Sequence, residues 1–134
     1  IDLCWRAFNK GYMIKYNSQS VVYHVGGATL QQGNPKKTFL NFRNSLLMLL
    51  KNLPKKQLIS VIFIRLLLDG VAGVQFLFQG KFKHLFAILK AHFSFYSVVA
   101  VYYRKRDLFQ SKKYYNTKSI VYQYFVNAGK VFEK

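Results

Sequence analysis

A chain of 134 residues, 51% of them apolar, carries enough hydrophobic material for one modest core, and that composition excludes a disordered polymer. Lys and Arg total 21 against 4 Asp and Glu, a formal charge of +17 that directs the chain toward polyanions such as nucleic acid, anionic lipid or phosphorylated ligands. The single Cys4 excludes an internal disulfide framework and any multi-cysteine zinc site within the chain, and reads as a small buried apolar residue.

In chain order, Asp2 opens or caps a short helix running to about Lys10, where its carboxylate meets the free amide groups of the first turn. Arg6 stands one turn on, at the spacing of an i,i+4 ion pair, and Gly11 supplies a left-handed cap. The β-branched and aromatic runs Tyr12 to Tyr16 and Val21 to Val25 read as two strands joined by the turn-prone Asn17-Ser18-Gln19-Ser20, with Gly26-Gly27 ending the second. A Gln, Gly and Asn-rich loop follows to Pro35, and an α/β portion gives way there to an apolar helical extension. The expected organisation is therefore α+β, with residues 1–34 as one unit and residues 35–134 as a helical extension ending in a short strand or tail.

A helix over about 36–52 sets Asn41, Asn44, Ser45 and Lys51 opposite Phe39, Leu46, Leu47 and Leu50, with Arg43 on the apolar side. A guanidinium there needs an anionic partner or must snorkel. Pro54 starts a second long helix to Phe78, punctuated by Gly80, and a third runs from about Lys83 to Tyr103 before the cluster Arg104-Lys105-Arg106. Arg65 and Asp69 are spaced for mutual neutralisation within the second of these helices. His84 and His92 have no ligand spacing and are assigned no role. Ser119 to Val126 reads as a short strand or amphipathic segment.

The ordered series D-L-C-W-R from Asp2, V-V-Y-H-V-G-G from Val21 and N-F-R-N from Asn41 resembles the C-terminal third of family-2 glycosyltransferases of the GT-A fold, of the bacterial rhamnosyltransferase-like type. The resemblance implies an inverting transfer of a sugar from a nucleotide-diphosphate donor to a hydroxyl of a glycan or lipid-linked acceptor, in the making of cell-envelope polysaccharide. It makes Asp2 the last acid of the family's acidic motif, with the catalytic base just before Ile1, so that the chain is a fragment expected to lack transferase activity by itself. His24 matches the family histidine that reaches the metal or the donor diphosphate, a role imidazole can fill through either nitrogen. Gly26, Gly27 and Thr29 would begin a loop near the donor, with Arg6, Lys37 and Arg43 as phosphate or acid partners and Trp5 as core or a wall of the acceptor pocket. A divalent metal, Mg or Mn, is implied for the complete protein, held by an Asp-x-Asp motif that this chain does not contain.

Arg65 interrupts the apolar run Leu58 to Leu68, and Lys90 and His92 interrupt the run Phe86 to Tyr103. These charges favour a chain that lies on a membrane over one that crosses it, and the resemblance implies a peripheral place on the cytoplasmic face. Two other classes remain: a non-catalytic basic amphipathic module on the membrane surface, and a nucleic-acid binder. The second is disfavoured, since the basic residues are scattered along apolar helices and no zinc-finger, RRM or KH signature is present.

Overall fold

The computed structural model describes residues 1–23, 33–106 and 110–111. The described residues form four helices: α1 (Asp2–Asn9), α2 (Pro35–Asn52), α3 (Lys55–Phe78) and α4 (Phe82–Arg104). Each begins or ends where the local chemistry demands. Asn34 caps α2 by accepting from the Lys36 amide at 2.9 Å, and Pro35 fills the first helical position, where a missing N–H costs nothing. The same helix stops at Leu53, whose extended backbone is what a following proline requires.

Two helices close with the same left-handed device. After α1, Gly11 has φ +84°, its amide donates to the Phe8 carbonyl at 2.9 Å, and the Tyr12 amide reaches back to Ala7 at 3.0 Å. After α3, Gly80 has φ +66°, with the corresponding bonds to Leu77 at 3.0 Å and from Lys81 to Phe76 at 2.9 Å. Each is a Schellman motif, which satisfies two otherwise orphaned carbonyls and turns the chain sharply.

The most extensive packing is between α2 and α4, with α3 against both and α1 against α2. Thr38 of α2 meets His84 at the start of α4, and Arg106 just past the end of α4 meets Leu50 and Leu53, so α2 and α4 run parallel. The core is Leu46, Leu47, Leu50 and Leu53 of the α2 region, Leu58 of α3 and Phe95 of α4. Ala87 and Ala91 are buried as well, small enough to let α4 approach closely. Gly73 of α3 does the same: a Cβ there would stand 3.2 Å from Leu85 Cδ1.

The expected α+β fold is corrected by the structure, because the described residues contain no strand. Tyr12 to Tyr16 is exposed chain with no strand beside it among the described residues, and Val21 to Tyr23 is likewise irregular. Strand propensity expresses packing on a pleated neighbour, and without that neighbour it fixes nothing. The turn between the two runs does form: Asn17 Oδ1 accepts from Gln19 at 3.0 Å, and its carbonyl accepts from Ser20 at 3.2 Å. Val25 and the segment Ser119 to Val126 lie outside the described residues. So no exposed sheet edge arises among the described residues.

The three long helices form a layered unit with unlike sides. Outward on α2 are Lys36, Asn41 and Asn44, whereas outward on α3 are Ile59, Phe63, Ile64, Leu67, Leu68, Val71, Val74, Leu77 and Phe78. A monomer in water rarely exposes an apolar face of that extent.

Candidate functional site

Asp2 sits at the junction of α1 with the end of α2, where three groups converge on its carboxylate. Arg6 Nε approaches Oδ2 at 3.1 Å, Lys51 Nζ approaches the same oxygen at 3.1 Å, and Asn52 Nδ2 donates to Oδ1 at 2.8 Å. Lys51 also reaches Oδ1 at 3.5 Å. The expected Asp2–Arg6 pair thus forms, while Asp2 occupies the first turn rather than the cap itself. Asn52 is buried and anchored by a second bond from its Nδ2 to the Met48 carbonyl at 2.9 Å, so it presents a fixed donor to α1.

Burial of the Asp2 carboxyl pushes its pKa up, but the bonds from Asn52 and Lys51 and the charges of Lys51 and Arg6 together hold it below the usual carboxylate value. Asp2 is therefore an anion at neutral pH. Beside it, Arg6, Lys10, Lys51 and Lys105 line one open groove of about 400 Å3 with Leu3, Ala7 and Tyr12. A second groove of about 320 Å3 joins Asp2 to Asn44, Met48, Lys51 and Tyr102. Four cations line the first groove, and Arg6 and Lys51 among them contact the neighbouring Asp2, which leaves a net positive hollow suited to a multiply charged anion such as a diphosphate.

The other expected site residues are distributed unevenly. Trp5 is half-buried and packs against the helical core, which places it with the structural half of its expected role. Arg43 does not join Asp2: its guanidinium lies 5.0 Å over the Phe39 ring and donates from Nε and Nη2 to Asn44 Oδ1 at 3.2 and 3.1 Å. Asn44 in turn lines the groove that holds Asp2. Lys37 stands in the first turn of α2, its amide donating to the Asn34 carbonyl at 2.9 Å. His24, Gly26, Gly27 and Thr29 lie outside the described residues. Cys4, expected inside, is exposed, because the face of α1 that packs inward carries Trp5 instead.

Sequence reasoning missed Lys51 and Asn52, which come to Asp2 from 49 and 50 residues away. It also missed His92, whose Nε2 lies 3.1 Å from Asp69 Oδ2. Asp69 is fully buried and takes Arg65 Nε on its other oxygen at 2.7 Å, with Arg65 lying 5.6 Å over the Phe42 ring. An ionised carboxylate only accepts, so the His92 Nε2 carries the proton in this contact. The expected neutralisation of Arg65 by Asp69 is present, extended by one group.

That inward cluster also changes how the apolar helices read. Arg65, Asp69 and His92 spend their polarity on one another, and α3 and α4 are both long and apolar enough to cross or associate with a membrane by length and composition. No three of His, Cys, Asp and Glu come together among the described residues. Compared with models of known families, with curated proteins and with solved structures, the chain matches none.

Proposed function

We propose that this chain is the C-terminal part of a membrane-associated inverting glycosyltransferase, which moves a sugar from a nucleotide-diphosphate donor to a lipid-linked or polysaccharide acceptor. The observation that carries this reading is the anchored Asp2 carboxylate in its cationic hollow. In the family series, that aspartate closes the acidic motif on the acceptor side. Its three partners fix the position of α1, and hence of the residue before it, against the helical unit. Direct displacement at a sugar carbon needs a fixed base for the acceptor hydroxyl and positive charge for the departing diphosphate. Asp2 would position the former, and Arg6, Lys10, Lys51 and Lys105 would supply the latter.

The exposed apolar side of α3 supports attachment to a bilayer, which we place at the cytoplasmic face on the strength of the family resemblance alone. Because α2 lies along α4 with Asn41 and Asn44 facing outward, immersion of the whole unit would bury polar groups in hydrocarbon. Lying flat, with α3 in the interface and α2 toward water, satisfies both sides at once. A lipid-linked acceptor would then meet the Asp2 hollow at the membrane surface.

The test is donor-dependent sugar transfer by the full-length protein. Asp2→Asn, which keeps the shape and removes the charge, is expected to lower turnover by about a hundredfold while leaving helix content unchanged, the scale of a positioned acid–base group. Turnover equal to wild type would remove Asp2 from the mechanism. The exposed apolar face with its cations favours a second reading, a membrane-surface module with no chemistry. Vesicle binding without any donor-dependent transfer by the full-length protein would establish that reading instead.

A further inference from the structure

A third groove lies far from Asp2, where the start of α2 meets the start of α4. It encloses about 490 Å3, with Lys36, Lys83 and Lys90 on its rim and Phe39, Phe86 and Ala87 beneath. No carboxylate balances those three ammonium groups among the described residues, since Asp2 and Asp69 are engaged elsewhere. Lys90 lies 5.8 Å over the Phe39 ring, so the charge is held above an apolar floor rather than extended into water.

The register of α4 explains why the groove falls at this place. At about 100° per residue, Phe82, Phe86, Leu89, Phe93 and Tyr96 share one exposed stripe. Lys83 and Lys90, seven residues apart, follow next around the helix, and buried Ala87 lies beyond them toward α2. Phe86 therefore belongs to both the stripe and the groove. The cations stand at the seam between the apolar side of the unit and its polar α2 side.

We propose that this groove seats one anionic phospholipid, its phosphate among Lys36, Lys83 and Lys90 and its upper acyl chain on Phe39 and Phe86. The proposal rests on the reading that the α3–α4 side associates with a membrane, and adds to it a single site of defined chemistry. A free phosphate ion would satisfy the lysines and leave the aromatic floor in water. A lipid satisfies both, and the continuity of Phe86 with the exposed stripe gives its chain a path back to the bilayer. The site also sets the depth at which the unit rides, because its rim must lie at headgroup level.

The experiment uses the full-length protein with phosphatidylcholine vesicles carrying a trace of spin-labelled phosphatidylglycerol or spin-labelled phosphatidylcholine. Wild type is expected to immobilise the phosphatidylglycerol label severalfold more than the phosphatidylcholine label. The variant K36Q/K83Q/K90Q is expected to bring that ratio close to one, whereas K15Q/K55Q/K56Q, which removes the same charge from exposed positions elsewhere, keeps the wild-type ratio. Phe86→Ala, a change at an exposed floor position, is expected to lower the ratio while circular dichroism stays that of wild type.

A wild-type ratio in either groove variant overturns the proposal. So does an equal loss in the control variant, which would mean diffuse charge attraction, or abolition of the preference by inorganic phosphate, which would mean a free-anion site. Flotation with pure phosphatidylcholine vesicles separates the two levels of the reading. If the protein floats but shows no groove-dependent preference, only the lipid site falls; if it floats with no vesicle of either composition, membrane association falls with it.

Discussion

Asp2 and Asp69 each hold an arginine one helical turn away, in opposite chain order and in opposite surroundings. The Asp2 side chain is 36% exposed and its Arg6 partner 44%, while Asp69 is 2% exposed with Arg65 above it and His92 across the α3–α4 contact. The same spacing thus produces two different objects. The first is a wet pair that orients a short helix, and the second is a dry cluster whose members depend on one another. Spacing predicts that two charges meet; only the surrounding helices decide what their meeting is worth.

The largest effect should come from breaking the dry cluster on one side. Asp69→Ala leaves Arg65 and His92 facing a buried hole, and is expected to destabilise the protein by about 3 to 5 kcal/mol, read as a lowered denaturation midpoint. Replacing all three members by apolar residues, as Arg65→Met, Asp69→Leu and His92→Leu together, removes the charge along with its desolvation cost. Stability near or above wild type is expected for that triple variant, and a loss as large as that of Asp69→Ala would show the network to be net stabilising.

Removing the wet carboxylate should cost far less. Asp2→Ala is expected to change stability by under about 1 kcal/mol, since solvent screens the exposed pair. A loss comparable to that of Asp69→Ala would erase the contrast between the two sites. The smallest effect is that of pH. The Asp2 pKa is lowered in the folded protein, so its contribution is fully present above the unfolded carboxylate value of about 4 and fades as pH falls through the folded value. A melting-temperature profile should therefore show a shallow acid limb that flattens in Asp2→Ala.

Much of the helical architecture was legible because its punctuation is local. Asn34-Pro35, Pro54, Gly11 and Gly80 act on their own backbone, and the expected helices fall within a residue or two of α1 to α4. The strands failed for the converse reason. Tyr12 to Tyr16 has the residue types of a strand, but a strand is defined by a partner that a single run cannot specify. The candidate site was half legible: Asp2 and Arg6 share a helix turn, whereas Lys51 and Asn52 arrive through the packing of α1 on α2. His92 carried no signal because its partner lies 23 residues away on another helix.

Arg106 stands just past α4, and its guanidinium donates to the carbonyls of Leu50 and Leu53 at the end of α2. Burial in that position pushes its pKa below the ordinary guanidinium range, against an opposing effect of Tyr103. The cap of one helix is thus supplied by a residue made 56 positions later. At about 5 to 20 residues per second, a ribosome finishes α2 roughly three to eleven seconds before Arg106 is polymerised. During that interval the last turn of α2 has open carbonyls and its leucines lack α4. The helical unit is therefore completed only once the cluster Arg104-Lys105-Arg106 has been translated.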